Sequence, residues 1–93
     1  QILMVSGFTD DRPVRASNGQ FADNWELSAQ RALTVTRSLI DAGVPADAVF
    51  AAAFGPQQPV ASNDDASGRA KNRRVEIAPM PRPARSPAAA DGR

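Results

Sequence analysis

The sequence predicts an α/β fold, a two-layer sandwich in which helices pack on a small mixed sheet. Three observations predict it. Residues 2–5, "ILMV", are a continuous apolar run of strand length. A stretch of helical period follows, with a start signal at Asp23 and a stop signal at Gly43. Near the end, "RRVEIAP" (73–79) alternates polar and apolar residues as a half-covered strand does. The resulting order is strand, helix, strand, short helix, strand, which packs as layers.

The first run suits a strand covered on both faces and ending at Gly7. Residues 9–23, "TDDRPVRASNGQFAD", read as a polar loop rich in Asp, Asn, Gly and Pro. Asp23 is then a helix N-cap, with Glu26 three residues later in capping-box position. Ala32, Val35, Leu39 and Ile40 continue the apolar stripe, and Gly43 followed by Pro45 ends the helix. "AVFAAAFG" (48–55) reads as a second strand, and a short helix is expected near residues 65–72. The last strand is expected to stop at Pro79. Residues 79–93 are rich in Pro and Ala with little to bury, so a folded domain over 1–78 and a disordered tail over 79–93 are expected. Three strands and one long helix make a thin core. The chain opens on Gln1 with a strand under way, so it reads as a piece of a longer protein with an element missing from its front. Any export signal or membrane anchor is expected in that preceding part, because crossing a bilayer takes ~20 apolar residues.

Composition narrows the chemistry. The 93 residues are 42% hydrophobic and 23% charged, with a net charge of +1. Such a balance argues against a protein built to coat nucleic acid. Cys and His are absent, which excludes disulfides, thiolate metal sites and the commonest general base. No metal or cofactor is expected.

Arg31 stands out. Leu27, Arg31 and Val35 are four apart and share one helical face, so a guanidinium there must reach water or meet an acid. Asp10 and Asp11 follow the first strand, where α/β folds place functional groups. Paired carboxylates serve acid/base or metal chemistry, but by position alone a turn cap is the preferred role. A helix packed beside its preceding strand brings Asp10 and Arg31 to one rim. Arg31 would take a carboxylate bidentately and Asp10 an ammonium, which together suit a zwitterionic amino-acid head group. From the residues alone, a direct Asp10–Arg31 salt bridge closing the loop is preferred to a bound guest. The cluster "GRAKNRR" (68–74) suggests phosphate contacts, yet Asp64 and Asp65 precede it and no aromatic surface is interleaved. A solvated face explains most of it. Trp25, the one Trp, is read as packing against the loop rather than stacking on sugars.

Five motifs in one order carry a resemblance: "GFTDD" (7–11), "NWELSAQRA" (24–32), "GVPADAVFAAAFG" (43–55), "QPVASND" (58–64) and "GRAKNRRVEI" (68–77). Together they resemble the OmpA-like domain, a peptidoglycan-binding module of the bacterial cell envelope, over residues 2–78. "FADNWELSAQRA" (21–32) is most similar to the MotB branch, whose members tie the flagellar motor to the wall. The resemblance implies noncovalent holding of the peptide stem at its diaminopimelate terminus, without catalysis, in the periplasm or cell envelope. It matches Asp10 to the family's aspartate in "TD" and Arg31 to the arginine of "LSxxRA". Thr9, Asn24 and Leu27 fall on positions lining the same groove, while Asn72 and Arg73 match the closing "NR", as ligand contacts or as loop supports. Peptidoglycan is the implied partner, with no nucleic acid, membrane attachment only through a preceding segment, and homodimerisation left open. The resemblance also implies that the element missing from the front is a first strand and helix. Many members have His where Phe8 stands, and alternation along the strand suggests that Phe8 is packed. The rival readings are a wall hydrolase using paired acids and a nucleic-acid module using "GRAKNRR".

Overall fold

A computed structural model describes residues 1–14 and 20–81. Strand β1 (Ile2–Phe8) leads through the loop to helix α1 (Asn24–Asp41), then through a 3-10 turn (Ala46–Ala48) to β2 (Val49–Gly55). Helix α2 (Ala66–Asn72) and strand β3 (Arg74–Met80) follow. Among the described residues the sheet has the order β2-β1-β3, with β2 parallel and β3 antiparallel to β1. The α/β fold class expected from the sequence is the one observed.

The central place of β1 explains its composition. Val5 is completely buried and Ile2 is 8% exposed. The strand does not end at Gly7, as the sequence suggested, but runs through it. Gly7 lies under α1 so closely that an added Cβ would fall inside contact distance of the Ser28 carbonyl oxygen and 2.9 Å from its carbon. The missing side chain here serves helix–sheet approach rather than a turn.

Both ends of α1 follow from sequence. The Asp23 carboxylate accepts from the Glu26 amide at 2.9 Å, and Glu26 accepts from the Ala22 amide at 3.2 Å. Glu26 thus reaches one residue beyond the capping-box partner. At the other end Val44 donates to the Leu39 carbonyl and Gly43, at φ +117°, to that of Ile40, both at 3.0 Å, which is the Schellman pattern. The buried side of α1 is Ser28, Ala32 and Thr36. The row Leu27, Arg31 and Val35 is therefore a half-buried flank, and Ile40 is 36% exposed. Small residues occupy the centre because the helix backbone sits so near the sheet.

On the sheet face away from Gly7, Phe8 is 3% exposed and stacks on Phe54 with ring centroids 5.0 Å apart. The Arg74 guanidinium covers the Phe8 ring at 3.8 Å. Phe8 is packed, as its alternation suggested. The last strand continues past Pro79 to Met80, pairing Pro79 with Leu3, so the boundary drawn after residue 78 falls inside β3. A proline is tolerated there because β3 is an edge strand, whose outward N–H groups have no ladder to serve. Of the expected disordered tail, residues 82–93 lie outside the described residues, as do residues 15–19 of the first loop.

Candidate functional site

The end of β1 is fastened on three sides. Thr9, 3% exposed, donates its amide to the Gly55 carbonyl at 2.9 Å, extending the β1–β2 ladder by one bond. Gly55 in turn donates to the Ser28 hydroxyl at 3.0 Å, and that hydroxyl donates to the Trp25 carbonyl at 2.9 Å. The Trp25 ring lies over Gly55, where a Cβ would come 3.0 Å from it, and the residue is 48% exposed. So Trp25 packs on one face and meets solvent on the other. In the first turn of α1, the Asn24 amide donates to the Asp10 carbonyl at 3.3 Å and to that of Arg12 at 3.0 Å. Strand end, helix start and loop are thereby one unit.

Asp10 is the charged centre of that unit. One carboxylate oxygen accepts from the Arg12 amide at 3.0 Å, and the other from Arg73 Nη1 at 2.7 Å. The Asp10 side chain is 10% exposed and that of Arg73 42%. Asp10 thus pairs with Arg73, sixty-three residues away, and not with Arg31 as the loop-closing salt bridge required. The sheet register is the cause. Phe8 stands opposite Arg74 on the antiparallel strand, so the residue before Arg74 meets the residues after Phe8. Asp11 is exposed, and neither of the two donors on the Asp10 carboxylate comes from it.

Arg31 occupies the flank of α1 that also carries Asn24 and Leu27, spaced three and four residues apart. It lies about 10 Å along the helix axis from Asn24 by helical rise, and helical side chains lean back toward the N-terminus. The residue is half-buried, and among the described residues no hydrogen bond or ion pair engages it. Leu27 is half-buried beside it. Among the described residues these side chains form an open surface and enclose no cavity.

Two of the expected site residues are interior supports. The Thr9 hydroxyl is spent on the Asp10 carbonyl at 2.8 Å. Asn72 is wholly buried, and its amide uses all four hydrogen-bonding sites. Its oxygen accepts from the Val60 and Ala61 amides at 2.8 and 3.0 Å. Its nitrogen donates to the Ala61 carbonyl at 3.0 Å and to Asn63 Oδ1 at 2.8 Å. Asn72 holds the 60–63 loop, and nothing of it is left for a guest. Sequence reading passed over Ser28 and Arg12 as contributors. Ser28 carried a signal, a hydroxyl on the side of the helix that should be apolar, whereas Arg12 acts through its backbone and carried none.

Arg69, Arg73 and Arg74 of the basic cluster are bonded within the chain, and Lys71 is exposed. Arg69 donates to the Asn63 carbonyl at 2.9 Å, Arg73 holds Asp10, and Arg74 binds Glu76 at 2.6 Å and the Gln58 carbonyl at 3.1 Å.

Residues 1–73 match the sequence model of the OmpA family. Motility protein B of Bacillus subtilis is 43% identical over 81 residues, covering 86% of this chain and 30% of that protein. The peptidoglycan-binding protein ArfA of Mycobacterium tuberculosis is 42% identical over 75 residues, 81% of this chain and 21% of that protein. The chain therefore spans about a third or less of these relatives. Among solved structures, the C-terminal domain of Helicobacter pylori MotB superposes with a TM-score of 0.76 at 39% identity, over 82% of this chain and 56% of that one. The cell wall anchor of the T6SS from Pseudomonas aeruginosa gives 0.72 at 38% identity, over 82% and 52%.

Proposed function

This chain belongs to the OmpA family, with MotB domains among its similar structures, and from that premise we propose that it binds peptidoglycan noncovalently and anchors its parent protein to the bacterial wall. The names of ArfA and of the T6SS wall anchor support this reading. Its place is the periplasm or cell envelope. The recognised group is the amino-acid terminus of a diaminopimelate residue on the peptide stem. Asp10 receives the ammonium, Arg31 clamps the carboxylate, and Leu27 and the backbone around Thr9 and Asn24 flank the guest.

One observation carries the assignment of roles. Arg31 is a half-buried residue whose guanidinium has no acidic partner among the described residues, on the helix flank whose first turn is bonded to the Asp10 loop. Asp10 complements it, since each carboxylate oxygen carries one protein donor and keeps a further lone-pair site. Holding requires no bond cleavage, and many weak contacts along a polymer give retention by avidity.

Cosedimentation with purified sacculi tests the proposal. The chain is expected to pellet with sacculi and to release no soluble fragments. Arg31→Ala and Asp10→Ala should each weaken pelleting about tenfold or more, the scale of a lost charge-assisted hydrogen bond. Undiminished pelleting of both variants would overturn the assignment.

A further inference from the structure

Arg73 has a part distinct from that of Arg31. Its guanidinium donates to Asp10 Oδ2 at 2.7 Å, while the Arg12 amide holds the other oxygen at 3.0 Å. Two donors on two different oxygens fix the plane of the carboxylate as well as its position. The root of Arg73 is fixed too. It is the C-cap of α2, its amide donates to the Arg69 carbonyl at 3.1 Å, and it lies between two anchored neighbours. One is Asn72 with its four side-chain bonds, the other Arg74 on the Phe8 ring. The pair also balances charge, because a carboxylate 10% exposed without a cation beside it is costly to keep enclosed.

We infer that Arg73 is a positioning residue for the ligand's ammonium: it leaves the guest untouched and acts by locking the Asp10 carboxylate in the orientation that receives it. This rests on the wall-binding reading above and assigns Arg73 a role within it. A chain of support runs from the 60–63 loop through Asn72 and Arg73 to Asp10. Arg31, which lies outside that chain, handles the carboxylate independently.

The test is an NMR titration of the whole chain with two probes. One is a stem peptide bearing diaminopimelate with a free terminal amine, the other the same peptide with that amine acetylated. Arg73→Gln should weaken binding of the free-amine peptide about tenfold, within the range for coupled neighbours. It should change binding of the acetylated peptide less than about twofold, since independent sites leave one another nearly unaffected. In an Asp10→Asn background Arg73→Gln should cost nothing more. Losses that multiply in the double variant would show that Arg73 meets the guest itself and overturn the inference. Equal loss on both peptides would reduce Arg73 to a structural part and overturn it as well. Should Arg73→Gln not fold, the same comparison is read from Arg73→Lys, which keeps the charge without the planar fork. Failure of the unaltered chain to bind either peptide would overturn the wall-binding reading, and this inference with it.

Discussion

Gly7→Ala is expected to leave little or no folded chain. The added methyl would lie against the backbone of Ser28, 2.9 Å from its carbonyl carbon and 3.3 Å from its Cα. No rotamer change relieves that contact, because both partners are main chain. Nor is α1 free to withdraw, since the Ser28 hydroxyl is tied to Gly55 and Asn24 to the Asp10 and Arg12 carbonyls. Overpacking a core side chain costs about 1–3 kcal/mol, and a backbone clash in the thin helix–sheet layer exceeds that range. A small domain has only about 5–15 kcal/mol to lose. Far-UV circular dichroism and a thermal melt read the outcome. A variant that melts within a few degrees of the parent would show that the helix does not approach the sheet as described.

Asn72→Ala is the second large loss. Truncation removes four hydrogen bonds at a completely buried position and strands the Val60 and Ala61 amides and the Ala61 carbonyl. Each buried polar group left unmatched costs about 1–3 kcal/mol, so a total of about 3–5 kcal/mol is expected after partial access of water. For a domain of this size that is a fall in melting temperature of roughly 12–40 °C. Asn72→Asp should be no better. Its carboxylate keeps the two acceptor bonds but faces the Ala61 carbonyl and Asn63 Oδ1, both acceptors, with no proton to offer. A melting temperature unchanged in Asn72→Ala would contradict the role given to this residue.

What the sequence made legible was whatever local chemistry dictates. Asp23 and Gly43 marked the ends of α1 because capping geometry is settled within a few residues. The order of strands and helices followed from periodicity. Less legible were features decided by a distant partner. Gly7 looked like a strand terminator because a glycine in isolation reads as a break, whereas its meaning comes from Ser28, twenty-one residues on. Pro79 likewise looked like a stop, and only the edge position of β3 makes it a strand residue.

The site divides in the same way. Asp10 and Arg31 were singled out by residue type, and Arg31 proved to be on a half-buried flank rather than in the core stripe. The partner of Asp10 could not be read locally, because the Asp10–Arg73 pair exists only through the antiparallel register of β1 and β3. Asn72 was carried over from the closing "NR" of the family motif, as a ligand contact or a loop support, and it is a buried loop anchor. Polarity in a sequence does not say which way a side chain faces.

The central claim is that a zwitterionic head group is held by one acid and one guanidinium. Calorimetric titration with two stem peptides tests it most directly, one bearing diaminopimelate and the other lysine in its place. Both offer an ammonium, but only the first adds a carboxylate beside it. The account predicts that the chain binds the diaminopimelate peptide and that Arg31→Ala reduces this binding to the level of the lysine peptide. Equal binding of the two peptides, unaffected by Arg31→Ala, would contradict it.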